Sequence, residues 1–270
     1  MNIETHPCFS SCCSNYARIH LPVAPACNMQ CNYCVRKFSC ANENRPGVTV
    51  KVMSPEEALL WYKDMQAQTP MLTVVGIAGP GDSLANWSQT KRTLELIRTY
   101  DRSVQFCLST NGLLLPDYVD DLLGTGVEFV TVTVNAIDPR IGTKIYSFIN
   151  DGTKILKGEE AAKLLWDRQR EGIKKLVAAG ICVKINSVAI PGINLEEIVN
   201  VAQTVGELGC ELQNIIPMLP VAGSAFGNLS EPAKEQIQTL RMRCRKYVRQ
   251  MMHCARCRAD AVGSLQVICK

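Results

Sequence analysis

No segment of this chain reaches the ~18 uninterrupted apolar residues that a membrane span needs. No charged start is followed by the apolar run of a secretory leader. An excess of one charge is missing as well. The 29 basic and 25 acidic residues are spread along the chain and leave a net charge of +4, which gives neither nucleic acid nor a membrane surface a reason to bind. The local exception is Arg241, Arg243, Arg245, Lys246 and Arg249, in a helical-looking stretch that reads as a solvated helix face or a site for an anionic ligand or partner. Low-complexity linkers and sequence repeats are absent. These absences leave a cytoplasmic protein of 270 residues, 47% hydrophobic, with material for a sizeable core.

Six apolar runs alternate with amphipathic ones: 18–24, 71–79, 104–110, 127–135, 181–190 and 211–219. The helical patterns between them begin with polar caps or an early proline and an acidic first turn, as after Ser54, in "LPDYVDDLLG" and in "NLEEIVNVAQTVGELG"; a long helix over 159–179 is closed by Gly180. Continuously apolar strands alternating with helices predict an α/β fold with a parallel sheet, and six units curl into a partial (βα)6, TIM-like barrel. The chain reads as one domain over 1–270: a cysteine-bearing head (1–17), the barrel core (18–220), and a helix and Cys-x2-Cys tail (221–270). Head and tail are expected to close over the barrel mouth. In such a sheet ligands gather at the carboxyl ends of the strands.

Fourteen cysteines in a reducing compartment point to metal ligands or small buried hydrophobes rather than to disulfides. Cys27, Cys31 and Cys34 stand at Cys-x3-Cys-x2-Cys spacing directly after the first strand. The local fourth cysteine of a closed zinc site or an ordinary four-iron cluster is missing. Three thiolates on a four-iron cluster leave one iron free for a small chelating ligand with an amine and a carboxylate. Other strand ends carry small hydrogen-bonding groups: Gly79, Pro80, Gly81 and Asp82; Ser109, Thr110, Asn111 and Gly112; Asn186 and Ser187.

With Tyr33 before the last cysteine, the motif resembles the radical S-adenosylmethionine superfamily. Together with "HPCFS", "YARIHLPVAPACNMQCNYC", "GIAGPGD", "FCLSTNGLLLP", "VTVTVNAIDP", "PGIN" and "CRADAVG", the chain resembles the NifB family of nitrogenase cofactor maturases over nearly its whole length. The resemblance implies an enzyme with one radical cluster on Cys27, Cys31 and Cys34. It implies S-adenosylmethionine contacts from Tyr33, Gly79, Pro80, Gly81, Asp82, Ser109, Asn111, Asn135, Asn186 and Ser187. Two further four-iron clusters would be substrates, held by Cys8, Cys107, Cys254 and Cys257, with His6 as an imidazole candidate. The implied reaction fuses them and inserts a carbide drawn from S-adenosylmethionine.

The family pattern has histidines where "SCCSN" stands here, so either Cys12 or Cys13 takes that place or the site is altered. The chain ends soon after "RADAVG", as in the stand-alone form, which implies separate cluster donors and a carrier or scaffold for the product. Two other readings compete. One is a radical enzyme that keeps auxiliary clusters and acts on a peptide or small molecule. The other is a non-catalytic cluster scaffold, which would have no use for "GPGD" and "STNG" at strand ends.

Overall fold

A computed structural model describes residues 2–10 and 15–265. Cys12 and Cys13 lie outside the described residues, so the departure in the head stays a reading of sequence alone. In chain order the elements are β1 (Ala17–His20), β2 (Met29–Cys31), α1 (Pro55–Gln68), β3 (Leu72–Ile77), α2 (Trp87–Tyr100), β4 (Gln105–Thr110), α3 (Leu115–Thr125), β5 (Val127–Thr133) and α4 (Pro139–Ile145). They continue with β6 (Tyr146–Asn150), β7 (Ile155–Leu156), α5 (Gly158–Ala178), β8 (Cys182–Ala189), α6 (Glu197–Glu207), β9 (Leu212–Pro217), α7 (Lys234–Cys244) and β10 (Val262–Ser264).

All six expected strands form, and they pair in parallel in the order β1-β3-β4-β5-β8-β9, a curled half-barrel. Helices cover the outer face because each crossover returns the chain to the same end of the sheet. Tyr62, Leu94, Ile97, Leu115, Leu176 and Val201 from the helices are fully buried against Ile19, Val75, Phe106 and Val130 of the strands. Local chemistry starts and stops the helices. Ser54 and Glu57 cap α1 reciprocally, and Gly126 at φ 75° and Gly180 at φ 78° take the left-handed turns after α3 and α5. Among the described residues no helix is long and apolar enough to cross a membrane.

A second, three-stranded sheet was not evident from sequence. After β5 the chain inserts α4, β6 and β7, and β6 pairs antiparallel with β2, the strand inside the cysteine motif. Met29, Ile145, Tyr146 and Ile149 pack there as a separate small core. Strands of two to five residues have little intrinsic stability, so nothing local announces them.

The head sits elsewhere than over the mouth. Thr5 donates to Gln105 Oε1 (2.8 Å), and Phe9 packs on Phe129, Cys182 and Leu212. These residues stand at the amino-terminal ends of β4, β5, β8 and β9, so the head floors the barrel at the end opposite the carboxyl rim. The tail spans the open side. Residues 249–251 bond to Gln213 on β9, and eleven residues later β10 pairs antiparallel with β1. An incomplete barrel exposes two sheet edges, and this segment covers both.

Candidate functional site

The cysteine motif is held from three sides. Gln30 Nε2 donates to the carbonyls of Cys31 and Cys34 (both 2.8 Å), and the Cys34 amide closes a turn onto the Cys31 carbonyl (3.0 Å). Pairing of β2 with β6 fixes the loop on its outer side. On the inner side Gly81 N donates to Ala24 O (2.6 Å) and Asp82 N to Ala26 O (2.8 Å). A Cβ on Gly81 would stand 2.0 Å from the Ala26 carbonyl oxygen. Glycine is therefore required there for contact with the motif loop. Gly81→Ala is expected to cost about 1–3 kcal/mol in denaturant unfolding and to displace the residue before Cys27, lowering iron retained by the motif.

Asp82 is buried and its carboxylate is taken up by the amides of Leu84, Ala85 and Asn111 and by the Thr110 hydroxyl. Burial pushes its acidity down, against those hydrogen bonds. It thus braces the ends of β3 and β4. Asn111 Nδ2 donates to Asn28 Oδ1 (2.7 Å) and lies 3.8 Å from Cys27 Sγ, while Gln169 from α5 ties down the carbonyls of Asn111 (2.6 Å) and Thr133 (2.9 Å). Asn135 donates to the Tyr33 hydroxyl (3.0 Å), which in turn hydrogen-bonds Cys31. Asn135 and Ser187 are fully buried behind the wall, where Ser187 donates to Val134 O (2.7 Å). Ser109, Asn186, Pro80 and Gly81 line the open space, with Gly79 between Ala78 and Pro80 at φ 126°.

One cavity of about 300 Å³ runs from the motif into the barrel. Cys27, Cys31 and Cys34 line its outer part, and Cys8, Cys107, Cys254 and Cys257 its inner part. Cys107 is the third residue of β4 rather than its end, so it faces the barrel interior nearer the floor. Arg18 Nη2 donates to Cys257 Sγ (2.8 Å) and Asn214 Nδ2 to Cys254 Sγ (3.2 Å). Burial raises the pKa of the thiols at Cys27 (to about 11), Cys107 (to about 12), Cys8, Cys31 and Cys34, so they hold their protons until a cation displaces them.

The two histidines at the cavity differ. His6 Nδ1 accepts from the Cys8 amide (3.1 Å), which occupies the one lone pair of a neutral ring and leaves Nε2 buried without a partner. His20 is arranged the other way. Its Nδ1 bonds the Arg258 carbonyl (2.9 Å), which can only accept, so Nδ1 carries the proton and Nε2 presents a free lone pair. Burial holds its pKa down at about 4, so the ring is neutral. Gly76 stands beside it in register, and a Cβ there would meet the ring at 2.9 Å. Sequence reasoning missed His20, although "RIH" places polar side chains at alternate positions of a buried strand.

Among the described residues no three His, Cys, Asp or Glu side chains converge as a single ion requires. Three half-buried thiols on one short loop, with no fourth, suit a cluster in which each sulfur takes a different iron.

The family model of the Radical SAM superfamily matches residues 21–205. The chain is 48% identical over 265 residues to the FeMo cofactor biosynthesis protein NifB of Klebsiella pneumoniae, covering 96% of this chain and 57% of that protein. It is 44% identical over 264 residues to NifB of Chlorobaculum tepidum, covering 97% and 62%. The chain therefore spans roughly three-fifths of the length of these relatives. Streptococcus suis SuiB superposes with a TM-score of 0.63 at 12% identity, covering 88% of this chain and 49% of that one. The FeFe-hydrogenase maturase HydG from Carboxydothermus hydrogenoformans gives 0.61 at 16%, covering 86% and 52%. Such distant likenesses speak for the half-barrel fold.

Proposed function

Since the chain belongs to the radical SAM superfamily, and is nearly half identical to FeMo cofactor biosynthesis proteins along almost all of its own length, we propose that it makes the carbide-bearing precursor of that cofactor. Two four-iron clusters are its substrates, S-adenosylmethionine supplies the carbon, and the eight-iron product passes to a separate carrier. The observation that carries this reading is a single cavity lined by the three motif cysteines and by thiols from the head, from β4 and from the tail. An enzyme that joins clusters must hold them within reach of the radical site, and a continuous cavity allows it.

Cys27, Cys31 and Cys34 would hold the resident cluster, which when bound supplies the electron for cleaving S-adenosylmethionine. The chain's own part is positioning. Tyr33, Ser109, Asn111 and Asn186 face the space beside the motif and orient the nucleoside, with Asn135 holding Tyr33 from behind. Cys8, Cys107, Cys254, Cys257 and His20 grip the substrate clusters, soft thiolates and a neutral imidazole being what iron–sulfur clusters accept. The largely apolar lining keeps water from the reactive species.

His20→Ala is expected to abolish the nitrogen hyperfine coupling that pulsed electron paramagnetic resonance detects on a substrate cluster, with cleavage of S-adenosylmethionine retained. Unchanged coupling would remove His20 from the ligand set.

The whole reading is tested anaerobically. Protein reconstituted with iron and sulfide is given dithionite and S-adenosylmethionine labelled in its methyl group. Both 5′-deoxyadenosine and S-adenosylhomocysteine should appear, with label in an acid-labile iron–sulfur species. Deoxyadenosine without labelled cluster would mean a radical enzyme with another substrate, and no cleavage at all would mean a scaffold.

A further inference from the structure

The inner half of the cavity holds a cation that the ligand set does not use. Lys184 lies on β8 opposite Thr131 of β5, and its residue is only 7% exposed. Among the described residues it has no carboxylate and no hydrogen-bond partner; its Nζ stands 5.5 Å from the centroid of the Phe9 ring. It lines the cavity together with Cys8, Cys107, Cys254 and Cys257. The other cavity-lining cations show how unusual this is. Arg45 is paired with Glu43 (2.9 Å) and Arg256 with Glu231 (3.1 Å). Arg18 is occupied by the backbone carbonyls of Gly263 and Ser264 and by Cys257 Sγ. The one acidic residue in the lining is Asp82, whose carboxylate is already satisfied near the outer part.

A buried ammonium with no counter-ion is costly in the empty protein, because desolvation is not offset by a partner. A partner of opposite charge that arrives with the ligand removes that cost. A cluster held by several thiolates carries net negative charge. From this placement we infer that Lys184 is the countercharge for the anionic iron–sulfur substrate in the inner chamber, a binding residue that recognises the charge of the cluster rather than ligating its iron. This deepens the maturation reading and rests on it for the identity of the ligand.

The test compares Lys184→Met, which keeps the apolar stem, with Lys184→Arg, which keeps the charge. Each is reconstituted with ferrous iron and sulfide and then challenged with an iron chelator. Lys184→Met is expected to lose its inner-chamber iron on the order of tenfold faster than wild type. Its radical-cluster spectrum, with S-adenosylmethionine bound, should not change. Lys184→Arg should restore retention. Before loading, Lys184→Met should melt at a higher temperature than wild type, a gain that a merely structural lysine would not give. Wild-type retention of inner iron by Lys184→Met, or a lower melting temperature of its unloaded form, overturns the inference. A wild-type protein that loads inner clusters but never converts them overturns the maturation reading instead and leaves Lys184 standing.

Discussion

Cys31→Ala is expected to abolish formation of 5′-deoxyadenosine while the inner chamber still takes up iron. Cys31 ends β2, where pairing with β6 and the turn to Cys34 fix its backbone, and its sulfur is hydrogen-bonded by the Tyr33 hydroxyl. With two remaining thiols and no further cysteine on the loop, the resident cluster has no way to keep three ligands. The inner thiols come from the head, from β4 and from the tail, none of which is tied to Cys31. The two losses should therefore separate. Product nucleoside is measured by chromatography and iron by colorimetry. Retained cleavage in Cys31→Ala would remove the motif from its assigned role.

The converse variant, Cys254→Ala combined with Cys257→Ala, should leave cleavage of S-adenosylmethionine intact and eliminate labelled product. Both sulfurs lie in the segment that bridges β9 and β1, each already oriented by a donor, Asn214 Nδ2 on Cys254 and Arg18 Nη2 on Cys257. Because those donors line the cavity, alanine at both positions removes two ligands contributed by the tail and leaves Cys8, Cys107 and His20. The backbone of the segment is anchored independently, by residues 249–251 on Gln213 and by β10 on β1, so the fold should survive. Normal yield of labelled cluster from the double variant would contradict the reading of the tail.

The barrel was legible because each strand is a continuous run of β-branched and aromatic residues long enough to stand on its own. "VEFVTVTVN" and "ICVKINSVAI" bound β5 and β8 to within a few residues. The motif cysteines were legible because their spacing is covalent. What sequence could not tell is which end of the barrel the head would meet. The contacts that decide it, Phe9 on Phe129 and Thr5 on Gln105, lie a hundred or more residues apart in the chain. The depth of Cys107 was hidden for a related reason: the run "VQFCLST" gives a strand but not how far along it a side chain faces the cavity.

His20 and Lys184 left a signal that went unread. Each is a polar residue at an inward position of a strand otherwise too apolar to face water, and in a half-barrel such positions point into the cavity. Asn135 and Ser187, which the family resemblance implies as cofactor contacts, have side chains that bond to Tyr33 and to the Val134 carbonyl.

The central claim is that the inner clusters are consumed rather than kept as electron relays. The most direct measurement is electron paramagnetic resonance on reconstituted protein, freeze-quenched at intervals after S-adenosylmethionine and dithionite are added. The inner-cluster signals should decay as 5′-deoxyadenosine forms, replaced by the signal of a larger cluster, while the signal of the resident cluster persists. Inner-cluster signals that keep their full intensity through several equivalents of deoxyadenosine would contradict it.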